Sequence, residues 1–296
     1  MKADALRETV TAQIVAALKT GVKPWSPSWR GAGALHRPRR HNGQPYRGIN
    51  VIMLWMSAQE RGFASPYWMT YRQAAALDAQ VAKGSKGTPV IAFQPADPDA
   101  DPDDRRARPF SRAYYVFNAD QIEGLPAHFK ASEEPVSSSN DPLDAYELMM
   151  RHCDVRYEEH AGGAFYRPST DTVHWPNVRD FTTPAAQFAT AAHELGHASG
   201  AAHRLNREGI VGKRTTASYA YEELVAELTA AFVGARAGIF GEHLDDHSAY
   251  LDHWLKVLEE PAALFRAARE AETAADFVFP ETLEAQLLST RTAVAA

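Results

Sequence analysis

The feature that most restricts this chain is the pentapeptide HELGH at residues 193–197, set in AAQFATAAHELGHASG. Thr183-Pro184 opens a helical pattern here and Gly200 closes it. On a helix, His193 and His197 stand at i and i+4, one turn apart on one face, so that both imidazoles reach a single metal ion. Glu194 projects beside them, placed to act as general base towards water activated by the metal. Small residues (Ala191, Ala192, Gly196, Ala198, Gly200) leave room around such a site. The motif is that of a zinc-metallopeptidase-like domain.

A catalytic zinc site takes three protein ligands and keeps one position open. His203 lies six residues after His197, and Gly200 falls where the longer HExxHxxGxxH motif has its glycine. Two arginines follow His203 in HRLNR, however, and their charge disfavours a nearby cation. The rival ligands lie in the next long helical stretch, YAYEELVAELTAAFVGARAGI (219–239). Glu223 and Glu227 are one turn apart there, and two carboxylates on an apolar helix are costly unless paired or metal-bound. The expected assignment is Glu223 as third ligand, with Glu227 accepting a hydrogen bond from a ligand histidine. The reverse assignment and His203 stay open, and Glu222 is expected to face solvent. Zinc is the expected metal, although imidazole and carboxylate ligands also accept Mn, Co or Ni.

The rest of the chain reads differently. Its 296 residues suffice for two modest domains, and the net charge of −6 is unevenly spread. Residues 1–125 carry 17 Lys+Arg against 11 Asp+Glu, and residues 126–296 carry 14 against 26. A basic half points to a polyanionic partner. The single cysteine, Cys153, excludes a disulfide framework and a cysteine-based zinc site, and fits a reducing compartment. The first 21 residues read as an amphipathic helix with no apolar core of a signal peptide. No run of about 18 apolar residues exists to span a membrane. A cytoplasmic location is expected.

Residues 23–50, KPWSPSWRGAGALHRPRRHNGQPYRGIN, have too much Pro, Gly and Arg for a regular element, and read as a long ordered loop. Helices are expected at 51–61 and after Thr70, a KGSKG turn at 83–87, and antiparallel strands at 88–94 and 110–118. Between the strands, the charged, Pro-broken stretch 95–109 reads as a hairpin tip. A polar linker at 127–141 separates this α+β domain (1–126) from a mostly helical domain with a small sheet (142–296). The second domain opens on a helix capped by Asp141, followed by three short strands and, after the 219–239 helix, helices near 246–260 and 262–275.

Sequence-tolerant binding of single strands needs cations for phosphates and aromatic faces for bases. Residues 23–50 offer Arg30, Arg37, Arg39, Arg40 and Arg47 with Trp25, Trp29 and Tyr46. Lys83 and Lys86 are placed for phosphate, Trp68 and Tyr71 for stacking, and Asn50 and Gln73 for base or backbone contacts. Trp55 reads as core.

HELGHASGAAHRLNR followed by SYAYEELVAELTAAFV resembles the C-terminal domain of ArdC-type antirestriction proteins and related primase-associated proteins of conjugative plasmids. PWSPSW, PYRGIN, SPYWMTYRQA, KGSKGTPVIAF and YYVFNADQIEGL resemble the N-terminal domain of the same family. The resemblance implies an N-terminal domain for single-stranded DNA joined to a zincin-like, gluzincin-type metallopeptidase fold. It favours a glutamate of the EELVAE helix over His203 as third ligand, and implies protection of incoming plasmid DNA from host restriction enzymes. The alternative is a peptidase that cleaves a DNA-associated protein such as a restriction enzyme. A nuclease fits least, because one metal on HExxH lacks the two-metal arrangement common in nucleases.

Overall fold

The structure, a computed structural model, describes residues 3–25, 37–94, 110–130, 141–213, 215–239 and 251–294. Arg30, Trp29, the 95–109 stretch and most of the expected linker lie outside these residues. The chain divides into two compact units that interleave in sequence. Met1–Ile14 with Pro38–Glu133 forms the N-terminal unit, and Val15–Arg37 with Glu134–Ala296 forms the C-terminal one.

In the N-terminal unit, helices α1 (Ala3–Lys19, whose last turns group with the other unit), α2 (Ile49–Arg61) and α3 (Tyr71–Ala75) accompany strands β1 (Arg39–Arg40), β2 (Tyr67–Met69), β3 (Gln80–Val81), β4 (Thr88–Gln94), β5 (Phe110–Asn118) and β6 (Ile122–Glu123). Four of these strands form a sheet ordered β1-β2-β5-β4, and β3 pairs with β6. The antiparallel β4–β5 hairpin falls where the alternating apolar pattern puts it, with Thr88 opposite Val116 and Gln94 opposite Phe110. Strand β4 ends the sheet, and its free edge is blunted in two ways. Pro89 has no N–H to leave unpaired. Asn50, near the start of α2, donates from Nδ2 to the Ile91 carbonyl and accepts the Ile91 N–H on Oδ1, both at 2.8 Å. Helix α2 lies over the face of β4 that carries Thr88, whose hydroxyl meets that of Ser57 at 2.6 Å. Trp55, Ile52, Leu54 and Trp68 are buried in this core. Thr70 and Gln73 cap α3 reciprocally.

The C-terminal unit contains α4 (Pro142–Cys153), capped by Asp141 with Pro142 in its first turn, then β7 (Arg156–Glu159), β8 (Phe165–Arg167) and β9 (Thr172–Trp175) in the order β7-β9-β8. Strands β7 and β9 are parallel, and β8 is antiparallel to β9. Then follow α5 (Pro184–Ser199), the short α6 (Glu208–Val211), α7 (Thr216–Ala237), α8 (Leu251–Val257), α9 (Pro261–Val278) and α10 (Glu281–Val294). Helix α7 is central: it packs on α5, α8 and α9 and is buried nearly all round, as an α-helix without a polar stripe must be. Cys153 is a buried, free thiol, pushed up to about 12 by burial.

The segment Val15–Arg37 belongs to this unit through specific contacts. Trp25 is 2% exposed and meets Trp254 edge to face at 6.1 Å. Arg37 is 5% exposed and reaches Glu284 at 3.0 Å and Glu272 at 3.4 Å, carboxylates of α10 and α9. Glu272 also binds Arg236 of α7 at 2.7 Å, so the two guanidiniums share one carboxylate. Burial and the neighbouring Arg236 together lower the pKa of Arg37. No helix among the described residues is long and apolar enough to cross a membrane.

Candidate functional site

Helix α5 begins at the cap Thr183, whose hydroxyl accepts the Ala186 N–H at 3.0 Å, and is buried from Ala186 to Ser199. Its HELGH segment is therefore held inside the unit: His193, Glu194 and His197 are all buried. The imidazole Nε2 atoms of His193 and His197 lie 3.1 Å apart. Two nitrogens each about 2.0–2.1 Å from one ion have such a separation.

The third side chain comes from α7. Glu223 brings one carboxylate oxygen to 3.6 Å from His193 Nε2 and the other to 3.6 Å from His197 Nε2. The helices come this close because position 196 has no side chain. A Cβ on Gly196 would stand 3.2 Å from Thr229 Cβ and 3.4 Å from Ala226 Cα, both on α7. Two imidazoles and one carboxylate whose donor atoms all fall within 4.8 Å of one another suit a divalent metal. Among the described residues this is the group that does so. The surroundings favour positive charge as well. Burial disfavours a protonated His197, but Glu223, Glu222 and Glu194 outweigh it and push this imidazole up to about 10.

Two expectations around the centre are corrected. Glu222 does not face solvent: it is 1% exposed, and its Oε1 lies 3.3 Å from His197 Nδ1. An orienting contact to a ligand histidine, expected of Glu227, is made to His197 by Glu222, and Glu227 pairs with Lys23 Nζ at 3.3 Å. The reason is that α7 has no solvent side along this stretch, so a polar residue there marks a buried pair rather than a surface. His203, the other candidate ligand, is exposed and stands 3.4 Å from Asp171. Its neighbour Arg204 grips Asp171 with two hydrogen bonds, at 2.6 and 2.9 Å, and Tyr166 donates to the same carboxylate.

Comparison with known proteins matches both parts of the chain. Residues 4–117 match the N-terminal domain of the anti-restriction factor ArdC, and residues 144–270 match a zincin-like metallopeptidase. The crystal structure of metal-free ArdC from R388 plasmid is 34% identical, with a TM-score of 0.77 over 95% of this chain and 98% of that one. Its Mn(II)-bound form is 35% identical, with a TM-score of 0.76 over 92% and 96%. The chain belongs to the ArdC family of antirestriction proteins. An uncharacterized protein of Sinorhizobium fredii is 36% identical over 94% of this chain and 93% of its own length. A DNA primase TraC of Escherichia coli is 35% identical over 92% of this chain, which spans only 27% of that primase.

The N-terminal ArdC unit sorts the residues expected at a nucleic-acid surface. Four are committed inside the fold. Arg37 is ion-paired in the other unit, Trp68 (1% exposed) is core, Tyr46 (3%) is buried, and Asn50 has both ends of its amide on Ile91. Gln73 is likewise occupied in capping α3. Linear proximity to arginines misled here, because a basic loop can feed two different cores. Arg40, Arg47, Lys83, Lys86 and Tyr71 are exposed, and Arg39 is half-buried with Nη1 on the Gly43 carbonyl at 3.2 Å. The Arg40 guanidinium stands over the Tyr46 ring at 5.4 Å. Sequence reasoning missed two residues. Phe93 and Tyr115 are 59% and 49% exposed on the β4–β5 hairpin. The register, Pro89 opposite Tyr115 and Phe93 opposite Ser111, puts both on the face away from Thr88 and α2. The alternation in FSRAYYVFN puts Tyr115 on the face opposite Val116, and that in TPVIAFQ puts Phe93 on the face opposite Val90.

Proposed function

We propose that this protein binds single-stranded DNA through its N-terminal unit and protects incoming plasmid DNA from host restriction endonucleases in the cytoplasm. The observation that carries this reading is the likeness to ArdC over both units and 98% of that chain. Cations and aromatics on the N-terminal unit support it: half-buried Arg39 and exposed Arg40, Arg47, Lys83 and Lys86 for phosphates, and exposed Tyr71, Phe93 and Tyr115 for base faces. DNA binding is assigned up to about residue 126, apart from Val15–Arg37, and the metal domain to 142–296.

In this reading His193, His197 and Glu223 hold zinc, with Mn(II), present in one ArdC structure, as rival. When bound, the metal supplies a Lewis acid and lowers the pKa of water. Glu194, next to His193, is the side chain that takes the proton from attacking water and returns it to a leaving group. Its presence favours a second reading, a peptidase acting on a DNA-associated protein such as a restriction enzyme.

Full-length wild type and Glu194→Ala separate the two in a DNA-protection assay run alongside ssDNA binding at several salt concentrations. Protection is expected to persist in Glu194→Ala. Its loss with metal content intact would transfer the function to the peptidase reading, and absence of ssDNA binding by wild type would sink the first. Replacing Lys83 and Lys86 together by Ala should flatten the log–log salt slope by about 1.4.

A further inference from the structure

Glu222 is held as tightly as any side chain in the C-terminal unit. Arg207 binds both of its oxygens, Nε to Oε2 at 2.9 Å and Nη2 to Oε1 at 2.5 Å. The same guanidinium donates to the Gly196 carbonyl at 2.7 Å and to Ser199 Oγ at 2.9 Å, both on α5. Arg207 is 6% exposed and Glu222 1%. The contacts close a ring: His197 on α5, Glu222 on α7, Arg207 in the connection between them, and back to the last turn of α5. There a cation also answers the carbonyls that a helix end leaves without partners. Two glycines make the room. A Cβ on Gly200 would come within 2.9 Å of Arg207 Nη2, and one on Gly209 within 2.5 Å of Glu222 Oε2.

We propose that Arg207 and Glu222 form a positioning clamp for the metal ligand His197. With Glu222 accepting from Nδ1–H, the imidazole is committed to the tautomer that leaves the Nε2 lone pair facing Glu223 and His193. The two-point grip of Arg207 fixes both Glu222 oxygens, so this carboxylate cannot turn and compete with Glu223 as a ligand. It also balances the second buried negative charge beside the centre, so that Arg207 aids cation binding where an unpaired arginine would oppose it. The proposal rests on the reading that His193, His197 and Glu223 hold a divalent ion.

The test uses the full-length protein, stripped by a chelator and titrated with Zn(II) and Mn(II) in competition with a chromophoric chelator. The melting temperature of the metal-free form is measured in parallel. Glu222→Gln and Arg207→Met should each weaken affinity about 10–100-fold. Gly209→Ala removes no charge and presses on Glu222, so it should weaken affinity too; it decides the matter if either charge variant fails to fold. Folded variants with wild-type affinity would overturn the clamp, as would a lowered metal-free melting temperature with unchanged affinity. Failure of wild type to bind either ion would overturn the reading of the centre and the clamp with it.

Discussion

The proposed metal centre and the proposed DNA surface use polar side chains under opposite constraints. In the C-terminal unit, His193, His197, Glu222, Glu223 and Arg207 are all buried, and hydrogen bonds tie His197 to Glu222 and Glu222 to Arg207. In the N-terminal unit, Arg40, Arg47, Lys83 and Lys86 are exposed cations. A buried polar group must find a partner or destabilise the fold, so geometry there is nearly forced. An exposed cation can be moved by a residue with little cost, and its function shows only when several act together. Single substitutions should therefore be severe in the first region and graded in the second.

The largest effect is expected from Glu223→Ala, which takes away one of the three proposed metal ligands. Equilibrium dialysis should find a greater loss of zinc than the about 10–100-fold expected for an orienting partner. His203→Ala should leave the metal in place; equal losses would break the assignment of Glu223. Next comes a contrast within the N-terminal unit. Trp68→Ala empties a core position and should cost about 3–5 kcal/mol in denaturant unfolding. Tyr115→Ala should change stability by no more than about 0.5 kcal/mol, yet weaken ssDNA binding by about 1–3 kcal/mol for a base stacked there. Unchanged binding would remove the hairpin face from the proposed surface.

The smallest effect concerns pH. Burial works against the charge on Asp171, but Arg204 and Tyr166 hold its carboxyl below the ordinary value. A depressed carboxylate contributes stability above its unfolded pKa of about 3.9, and loses it as pH falls through the folded value. Asp171→Asn should therefore lower the melting temperature at neutral pH and converge on wild type in strong acid. A parallel offset at all pH values would contradict this.

Much of the C-terminal site was legible because helical spacing is rigid. HELGH and EELVAEL specify which side chains share a face, and helices α5 and α7 bring together His193, His197 and Glu223. The roles of Glu222 and Glu227 were not legible, since they depend on what packs against α7 from other sides. The two-residue strands β1, β3 and β6 are too short to carry a period, and α10 lies beyond the last helix expected from the sequence. On the proposed DNA side, local composition could not tell which arginines stay in water. Arg37 left that set through Glu272 and Glu284, more than two hundred residues away.

The contact between Trp25 and Trp254 also sets a timetable for synthesis. At about 5–20 residues per second, residue 254 leaves the ribosome roughly 10–50 s after residue 25. Late in that interval Trp25 and Arg37 still lack Trp254, Glu272 and Glu284, while all of the N-terminal unit, up to Glu133, has emerged. A nascent chain caught at that stage carries an assembled first unit with a loose apolar strap. By the same reasoning, exchanging one unit between two related genes would need a junction at each of the three places where the chain passes from one unit to the other.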